Sequence, residues 1–374
     1  MLRNGILFHM GLHEKLAELD AELHRTQKNK ATEFHIGILK AKMAKLKREL
    51  ISPAKRGGGG SGGHGFDVKK SGDSTVVLIG LPSVGKSTLL NALTNAQSKI
   101  AAYEFTTLTC IPGIMEYNKA KIQILDLPGV IAGAKEGKGR GREVLAVARN
   151  ADLVLIILDV FQPNMLSAIK EELEGIGIRL DAKPPDITIK KAIRGGITIN
   201  RTVKTAKMED RIIVGIMNEY GIHNGQVVLR EDVSQDQFID VLENNRKYIP
   251  SLVLLNKVDL VNEQYLRNLN FQFVPIAADR KQNIEKVKEE IYRKLNLIHI
   301  YTKPRMGVAD LEEPMIMRTG SLVSDFCGRV HRDLARDFKY SQIWGKSAKF
   351  PGQKAGLDHK LVDGDIVCVV KKQG

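Results

Sequence analysis

A glycine-rich loop with one lysine and two hydroxyl residues follows the first buried strand that the sequence predicts. The strand is the β-branched run 76–79, and the loop has the spacing Gly-x-x-x-x-Gly-Lys-Ser. Glycines let such a loop turn its N–H groups toward phosphate oxygens. Lys86 can neutralise the β- and γ-phosphates, and the Ser87 hydroxyl can ligate Mg²⁺ at the positive end of the next helix. The apolar helix pattern after the loop argues against a chance glycine-rich turn. The predicted phosphate-binding residues are Gly80, Pro82, Ser83, Val84, Gly85, Lys86, Ser87 and Thr88.

Two later loops have residue types that suit the γ-phosphate and the metal ion. Thr107, within 103–108, can ligate Mg²⁺ through its hydroxyl and bind the γ-phosphate through its N–H. Asp126 ends an apolar strand and can reach Mg²⁺ through water, while the N–H of Gly129 can bind the γ-phosphate. The residues predicted to act in hydrolysis are Lys86, Thr107 and Gly129, and those predicted to hold Mg²⁺ are Ser87, Thr107 and Asp126.

The stretch Asn-Lys-Val-Asp after another apolar strand predicts which base is bound. The carboxylate of Asp259 can accept hydrogen bonds from the ring N–H and the amine of guanine, a donor pair that adenine lacks. Because an unpaired buried acceptor is costly, such a site discriminates by roughly 10⁴. Asn256 is predicted to bind near the six-position oxygen, and the stem of Lys257 to lie over the ring. The loop with Ala277 and Ala278 is predicted to offer a backbone N–H to that oxygen. The pattern favours a GTP/GDP site over an ATP site.

The residue after Gly129 is Val130, where many GTPases have a glutamine that orients the attacking water. Valine cannot hydrogen-bond water, so we expect slow intrinsic hydrolysis. The water must then be positioned by the backbone, another loop, a cation or a partner. The Gly/Arg-rich stretch 135–142 follows and is expected to be a mobile switch. Arg140 and Arg142 in it either assist hydrolysis, contact a partner or are simply solvated.

The composition favours a polyanionic partner. The chain has 374 residues, with 57 Lys and Arg against 43 Asp and Glu, a net charge of +14. The alternative is that this charge serves solubility alone. The three cysteines, Cys110, Cys327 and Cys368, are far apart, so we expect a reducing compartment and no disulfides. The apolar stretches are too short for a signal peptide or a membrane span, which predicts a soluble, cytoplasmic protein without a membrane partner.

Composition and periodicity divide the chain into four parts. These are a basic helical region 1–56, a Gly-rich linker 57–65, an α/β domain 66–299 interrupted by an α+β insert 174–242, and a C-terminal domain 300–374. The basic helices are either a solvated helix face that covers the rest of the protein or a helical hairpin that contacts RNA phosphates. The insert is predicted to begin with a β-hairpin of 186–190 and 197–200, which carries a second basic patch. The C-terminal domain is predicted to have β-β-α-β-β order, with its helix over 322–338 and Trp344 in its core.

Taken together, the motifs resemble the developmentally regulated GTP-binding (DRG) branch of the Obg-like GTPases. The stretches that carry the resemblance are 26–32, 80–88, 103–108, 126–131, 175–180 and 300–304. The resemblance implies an α/β fold: a P-loop GTPase domain with an S5-like α+β insert, an N-terminal helical hairpin and a C-terminal β-grasp TGS domain. It also implies association with the ribosome and rRNA, a role in translation, and a DRG-family regulatory protein as partner. Val130 agrees with the family's lack of a catalytic glutamine.

Two positions depart from the family pattern. Many relatives with potassium-dependent hydrolysis have asparagine in the phosphate loop where this chain has Ser83, so K⁺ is a candidate second cation only. The usual serine of the loop near the guanine oxygen is Ala277 here. Two functions follow as hypotheses: a ribosome-associated GTPase switch in translation, or a signalling or scaffold GTPase that acts through a regulatory protein without touching RNA. A tRNA-modifying enzyme is disfavoured because no extra catalytic cysteine or metal cluster is evident.

Overall fold

The computed structural model describes residues 2–51, 72–94, 111–127, 147–204, 207–331 and 333–372. Its α-helices are α1 (Leu2–Arg25), α2 (Glu33–Ile51), α3 (Lys86–Leu93), α4 (Met165–Gly175), α5 (Asp210–Glu219), α6 (Gln235–Glu243), α7 (Glu263–Arg267), α8 (Ile284–Leu295) and α9 (Val323–Val330). None of these helices is long and apolar enough to cross a membrane.

The described residues form sixteen β-strands. They are β1 (Ser74–Ile79), β2 (Ile111–Tyr117), β3 (Ala120–Asp126), β4 (Leu153–Asp159), β5 (Ile178–Leu180), β6 (Ile187–Lys191), β7 (Ile197–Arg201), β8 (Gly225–Leu229), β9 (Lys247–Ile249), β10 (Ser251–Asn256), β11 (Val274–Pro275), β12 (Leu297–Thr302), β13 (Asp310–Arg318), β14 (Phe338–Trp344), β15 (Gln353–Ala355) and β16 (Ile366–Lys371). The chain forms two compact units, one of 1–64 with 168–249 and one of 65–167 with 250–374.

The second unit contains a six-stranded sheet in the order β11-β10-β4-β1-β3-β2. All neighbouring pairs are parallel except β2 with β3. Strands β1 and β4 are buried along their whole length, as expected for parallel strands covered on both faces. The carboxyl ends of parallel strands lie at one edge of the sheet. There Asp126 is level with Leu78, and Asn256 is level with Asp159. This register gathers the predicted site at that edge.

The C-terminal part of this unit forms a five-stranded sheet in the order β13-β12-β16-β14-β15. Helix α9 contributes Phe326 and Cys327 to its core, next to Ile343 of β14. Three predictions differ from the structure. Strand β15 was not predicted, so the order is β-β-α-β-β-β rather than β-β-α-β-β. The helix ends at Val330 rather than near 338. Trp344 is only partly buried and is absent from the core cluster, where its neighbour Ile343 takes the inward position because successive strand residues point to opposite faces. The Lys303 Nζ lies 5.6 Å from the centre of the Trp344 ring.

Two buried cysteines lie in this C-terminal sheet and helix. Burial raises the pKa of both Cys327 and Cys368, which keeps these thiols protonated. Neither belongs to a disulfide among the described residues. The third cysteine, Cys110, lies outside the described residues.

The insert in the first unit contains a three-stranded sheet in the order β6-β8-β7, and this order corrects the predicted hairpin. Strand β8 lies between β6 and β7, antiparallel to the first and parallel to the second. The connection must therefore arch over the end of β8. Gly195 and Gly196 have φ of 108° and 74°, which suits glycine, and the N–H of Gly225 donates to the Gly196 carbonyl at 2.9 Å. A Cβ at Gly225 would meet the Lys190 carbonyl oxygen at 2.7 Å, so the arch needs glycine on β8 as well.

Helix α2 belongs to the same unit as the insert and packs against α5 and α6. Ala41 and Ala44 join the hydrophobic core built mainly by those helices and β8. The approach is close: a Cβ at Gly215 of α5 would lie 2.5 Å from the ring of Phe34. A Cβ at Gly37 would lie 3.1 Å from Ile212. Small residues thus set the spacing of the two helices.

Basic residues of α2 form ion pairs inside this unit. Lys40 Nζ lies 2.6 Å from Asp236, Lys45 Nζ 3.4 Å from Glu219, and Arg48 3.8 Å from Glu243. Burial lowers the pKa of Lys47, and nearby Arg246 and Arg179 add to this effect against nearby acids. These contacts agree with the predicted helix face that covers the rest of the protein, and the alternative, an RNA contact, stays a prediction. Much of the charge of α2 holds the helix on the insert.

Candidate nucleotide-binding site

The glycine-rich loop leads from β1 into α3, as the motif requires. A Cβ at Gly80 would meet the carbonyl oxygen of Ile157 on β4 at 2.5 Å, so only glycine fits beside that strand. Gly85 precedes α3 with φ 95°, and a Cβ there would collide with the amide of Asn256. Ser83 also has positive φ, 63°. The loop is therefore curled by backbone conformations that the predicted glycines permit.

Lys86 folds back over this loop. Its Nζ donates to the carbonyl oxygens of Gly80 at 3.1 Å and Leu81 at 2.9 Å, and the residue is buried. Burial lowers the pKa of Lys86, and the Asp126 carboxylate partly opposes that shift. A polyphosphate would offer this ammonium stronger, charged acceptors than two carbonyls.

Ser87 and Asp126 meet at the carboxyl edge of the sheet. The Ser87 Oγ donates to Asp126 Oδ2 at 3.0 Å. The other carboxylate oxygen, Asp126 Oδ1, is buried and has no hydrogen-bond partner in the described part of the chain. A buried carboxylate oxygen without a partner is costly unless a cation or a donor completes it. A hydroxyl beside a carboxylate is a donor set that fits Mg²⁺.

Asn256 connects three parts of the site. Its Nδ2 donates to the carbonyl of Val84 in the glycine-rich loop at 2.8 Å. Its Oδ1 accepts from the N–H of Ala278 at 3.0 Å. The N–H of Ala277 faces the Gln282 carbonyl at 3.4 Å. Both N–H groups thus have protein partners, and the contact of this loop with the guanine oxygen stays a prediction.

Lys257 has an ion-pair partner that the motif analysis missed. Its Nζ lies 2.5 Å from Oδ2 of Asp159, which ends β4. The other oxygen of Asp159 accepts from the N–H of Phe161 at 2.9 Å. Lys257 itself has φ 67°, so its backbone turns sharply after β10. The sequence shows only that Asp159 ends an apolar strand; its place beside Asn256 appears only in the structure.

Asp259 lies in the short 3₁₀ turn Val258–Leu260. Its Oδ2 lies 3.1 Å from Nε of Arg280, a residue that sequence reasoning did not select. The carboxylate is 16% exposed and the Arg280 side chain 69% exposed, so the arginine approaches from the solvent side.

Several predicted residues cannot be compared with the structure. Thr107, Gly129, Val130, Arg140 and Arg142 lie outside the described residues. Pro82 and Ser83 form the exposed turn of the glycine-rich loop, and Thr88 lies in the first turn of α3. The described members of the predicted site lie on strand ends and loops at one edge of the six-stranded sheet. Their nucleotide contacts remain predictions.

Comparison with known protein families agrees with this arrangement. A family model described as a 50S ribosome-binding GTPase matches residues 75–191, and one for the C-terminal region of that domain (MMR_HSR1) matches 194–297. A TGS domain model matches 298–371. These three matches cover the α/β domain with its insert and the C-terminal sheet.

Curated proteins resemble the chain along almost its entire length. An uncharacterized GTP-binding protein of Methanocaldococcus jannaschii is 51% identical over 97% of this chain and 94% of its own. A developmentally-regulated GTP-binding protein 1 homolog of Dictyostelium discoideum is 48% identical over 97% of this chain and 100% of its own. Developmentally-regulated GTP-binding protein 1 of Xenopus laevis is also 48% identical, over the same shares. The chain therefore belongs to the developmentally regulated GTP-binding protein family and is a GTP-binding protein with a P-loop GTPase domain and a C-terminal TGS domain.

Proposed function

We propose that this protein is a slowly hydrolysing GTP switch that associates with ribosomes and acts in cytoplasmic translation. The observation that carries the proposal is an exposed basic arch, residues 190–196, which comprises the end of β6 and its connection to β7. Lys190, Lys191 and Arg194 are exposed and have no ion-pair partner among the described residues. Ile193 between them is 97% exposed. The family model whose description names ribosome binding reaches residue 191.

The arch suits RNA because its charge is uncompensated within the first unit. Neutralised phosphates release counterions, so each cation that contacts RNA adds about one unit to the salt dependence of binding. The ion-paired cations of α2 contrast with the arch, since Lys40 and Lys45 already contact acidic side chains. We therefore assign the RNA contact to the arch in preference to α2.

The nucleotide roles predicted from the sequence are retained as proposals. Gly80, Lys86 and the loop around them bind the phosphates, and Asp259 reads guanine. Ser87, Thr107 and Asp126 would hold Mg²⁺; the unpartnered Oδ1 of Asp126 supports this assignment. When bound, Mg²⁺ neutralises charge on the β- and γ-phosphates. Lys86→Ala should then abolish useful nucleotide binding, and wild-type turnover in that variant would contradict the assignment.

Hydrolysis is proposed to be slow because Val130 cannot orient water. K⁺ is proposed as a second cation near Ser83, and a regulatory protein of the DRG family as a stabilising partner. Rates of GTP hydrolysis in KCl and in NaCl, measured for wild type and for Ser83→Asn, test the role of K⁺. Equal rates in the two salts for both proteins would exclude K⁺ as a second cation.

The proposed boundaries are a helical region 1–56, a linker 57–65, a GTPase domain 66–299 with the insert 174–242, and a TGS domain 300–374.

Co-sedimentation with ribosomes tests the main proposal. Wild type is pelleted with GDP or a non-hydrolysable GTP analogue at two salt concentrations. The arch variant replaces Lys190, Lys191 and Arg194 by alanine. The control replaces Arg267, Lys286 and Lys360, exposed cations outside the first unit, so that both variants lose the same charge.

We expect more pelleting with the triphosphate analogue, weakened by salt and lost in the arch variant but not in the control. The slope of log affinity against log salt should fall by about three units in the arch variant. If the arch variant pelleted as well as wild type, and both pelleted only when the regulatory protein was present, the scaffold hypothesis would be favoured. No pelleting in either nucleotide state, with or without that protein, would overturn the ribosome proposal.

A further inference from the structure

The carboxylate of Asp259 has one charged partner in the described part of the chain, Arg280. The Nε of Arg280 lies 3.1 Å from Asp259 Oδ2. Most of the guanidinium is exposed, whereas the carboxylate is largely covered. The arginine therefore lies on the solvent side of the Asp259 side chain.

The loop that carries Arg280 is held firmly on the end of β10. The N–H of Ala278 donates to Asn256 Oδ1 at 3.0 Å, and the N–H of Arg280 donates to the Ala277 carbonyl at 3.1 Å. The N–H of Gln282 donates to the same carbonyl at 3.0 Å. Ala277 and Ala278 are buried methyl groups without a side-chain donor. The loop thus presents Arg280 to Asp259 from a fixed backbone.

Guanine recognition needs an oriented carboxylate. Each of its oxygens must face one of the two donors on the base, the ring N–H and the amine. A carboxylate oxygen has two lone pairs, so Oδ2 can lie beside the Arg280 cation and still accept from guanine. A side chain already held in one orientation loses less conformational freedom when the base binds.

We propose that Arg280 is a positioning residue that holds the Asp259 carboxylate in the orientation that reads guanine. The proposal rests on the proposed role of Asp259 as the base-reading residue. Arg280 acts through Asp259 and does not itself contact the base. Its effect is therefore confined to nucleotides whose base uses the carboxylate.

The test measures the affinities of Arg280→Ala for GDP and, by competition, for ADP. An exposed ion pair contributes up to about 1 kcal/mol, so we expect GDP affinity to fall roughly two- to fivefold while ADP affinity stays unchanged. Arg280→Lys keeps a cationic donor and should recover part of the loss. Arg267→Ala is the matched control, because Arg267 is equally exposed and pairs with Glu263 at 3.0 Å. It should leave both affinities unchanged.

A double variant distinguishes the positioning role of Arg280 from the base-reading role of Asp259 on which it rests. In an Asp259→Asn background, Arg280→Ala should have no further effect on GDP, since the carboxylate it positions is gone. An equal fall for GDP and ADP would overturn the proposal, because it would mean that Arg280 only attracts phosphate. An unchanged or higher GDP affinity in Arg280→Ala would also overturn it. If Asp259→Asn itself kept the full guanine preference, the base-reading assignment would fail first.

Discussion

The side-chain amide of Asn256 holds the glycine-rich loop through Val84, whose carbonyl accepts from Nδ2 at 2.8 Å. The same amide accepts from the N–H of Ala278 through Oδ1 at 3.0 Å. Asn256 is buried, so these bonds are shielded from water. One side chain at the end of β10 thus couples the glycine-rich loop to the loop that contains Ala278.

Asn256→Asp should break this coupling while preserving shape. The new carboxylate can still accept from Ala278, but its other oxygen faces the Val84 carbonyl with no proton to share. We expect a loss of about 1–3 kcal/mol in the free energy of unfolding, together with loss of GDP affinity. Urea unfolding and GDP titration of the same samples measure both quantities.

Asp259→Asn is the matched control for that variant, since it also exchanges an amide and a carboxylate. The ion pair of Asp259 with the exposed Arg280 contributes little to stability, so this variant should keep most of its stability and change base preference instead. Wild-type stability in Asn256→Asp would show that the loops hold together without the amide.

Lys86 should make the stability of the nucleotide-free protein depend on pH. Burial lowers the pKa of Lys86, so the unfolded chain binds more protons between that lowered pKa and the ordinary 10.5. The free energy of unfolding therefore rises with pH through this window, and the penalty is present in full below it. Lys86→Met removes the ionisable group. The stability of wild type minus that of Lys86→Met should thus increase as pH rises toward 10.5.

Denaturant unfolding of both nucleotide-free proteins, from neutral pH to about pH 10, measures this difference. Lys288→Met is a control, because Lys288 pairs with Glu285 outside the site. A pH-independent difference between wild type and Lys86→Met would mean that the folded protein does not shift the pKa of Lys86.

The sequence predicted the strand-end residues of the site because their spacing is a local property of the chain. Gly80, Lys86 and Asn256 follow apolar strands, and parallel strands bring such ends to one edge of a sheet. The pairing of β6 with β8 depended instead on partners far along the chain. The Gly-Gly turn looked like a hairpin from its local residues alone. Its glycines serve an arch over β8 instead.

The ion pairs of several charged residues were not predicted, for the same reason. Lys40 and Asp236 are far apart in sequence, so nothing near Lys40 indicated an ion pair. Asp159 and Arg280 were missed because neither belongs to a spaced motif; each is identified by the residue it contacts, Lys257 and Asp259. Long-range pairing decides which polar residues of a motif have partners, and spacing alone does not contain that information.

The contact between α2 and α5 gives a prediction about stability. A Cβ at Gly215 would lie 2.5 Å from the Phe34 ring, so Gly215→Ala forces the helices apart or moves the ring. Such overpacking costs about 1–3 kcal/mol. Gly11→Ala in α1 is the control, since a Cβ there meets nothing within 4 Å. It should be neutral or stabilising by up to about 1 kcal/mol. Equal unfolding free energies for the two variants would contradict the close packing.

A variant of Asp126 distinguishes an effect on Mg²⁺ binding from a direct effect on nucleotide binding. Its Oδ1 is buried without a partner in the described part of the chain, and its Oδ2 accepts from Ser87. Asp126→Asn removes the charge that would attract Mg²⁺ but keeps the shape. GTP affinity with Mg²⁺ should fall at least tenfold, about 1.4 kcal/mol, while wild type and variant should converge when EDTA removes the metal.

Ser87→Ala should behave in the same direction with a smaller loss, because a neutral hydroxyl attracts the cation less strongly than a carboxylate. Titration of a fluorescent GTP analogue, with Mg²⁺ and with EDTA, measures both variants. Asp152→Asn is the control: this carboxylate pairs with Arg318 and accepts from the N–H of Thr75, away from the glycine-rich loop. If Asp126→Asn lowered GTP affinity as much in EDTA as in Mg²⁺, the carboxylate would act on the glycine-rich loop itself. That result would contradict its role as a Mg²⁺ ligand.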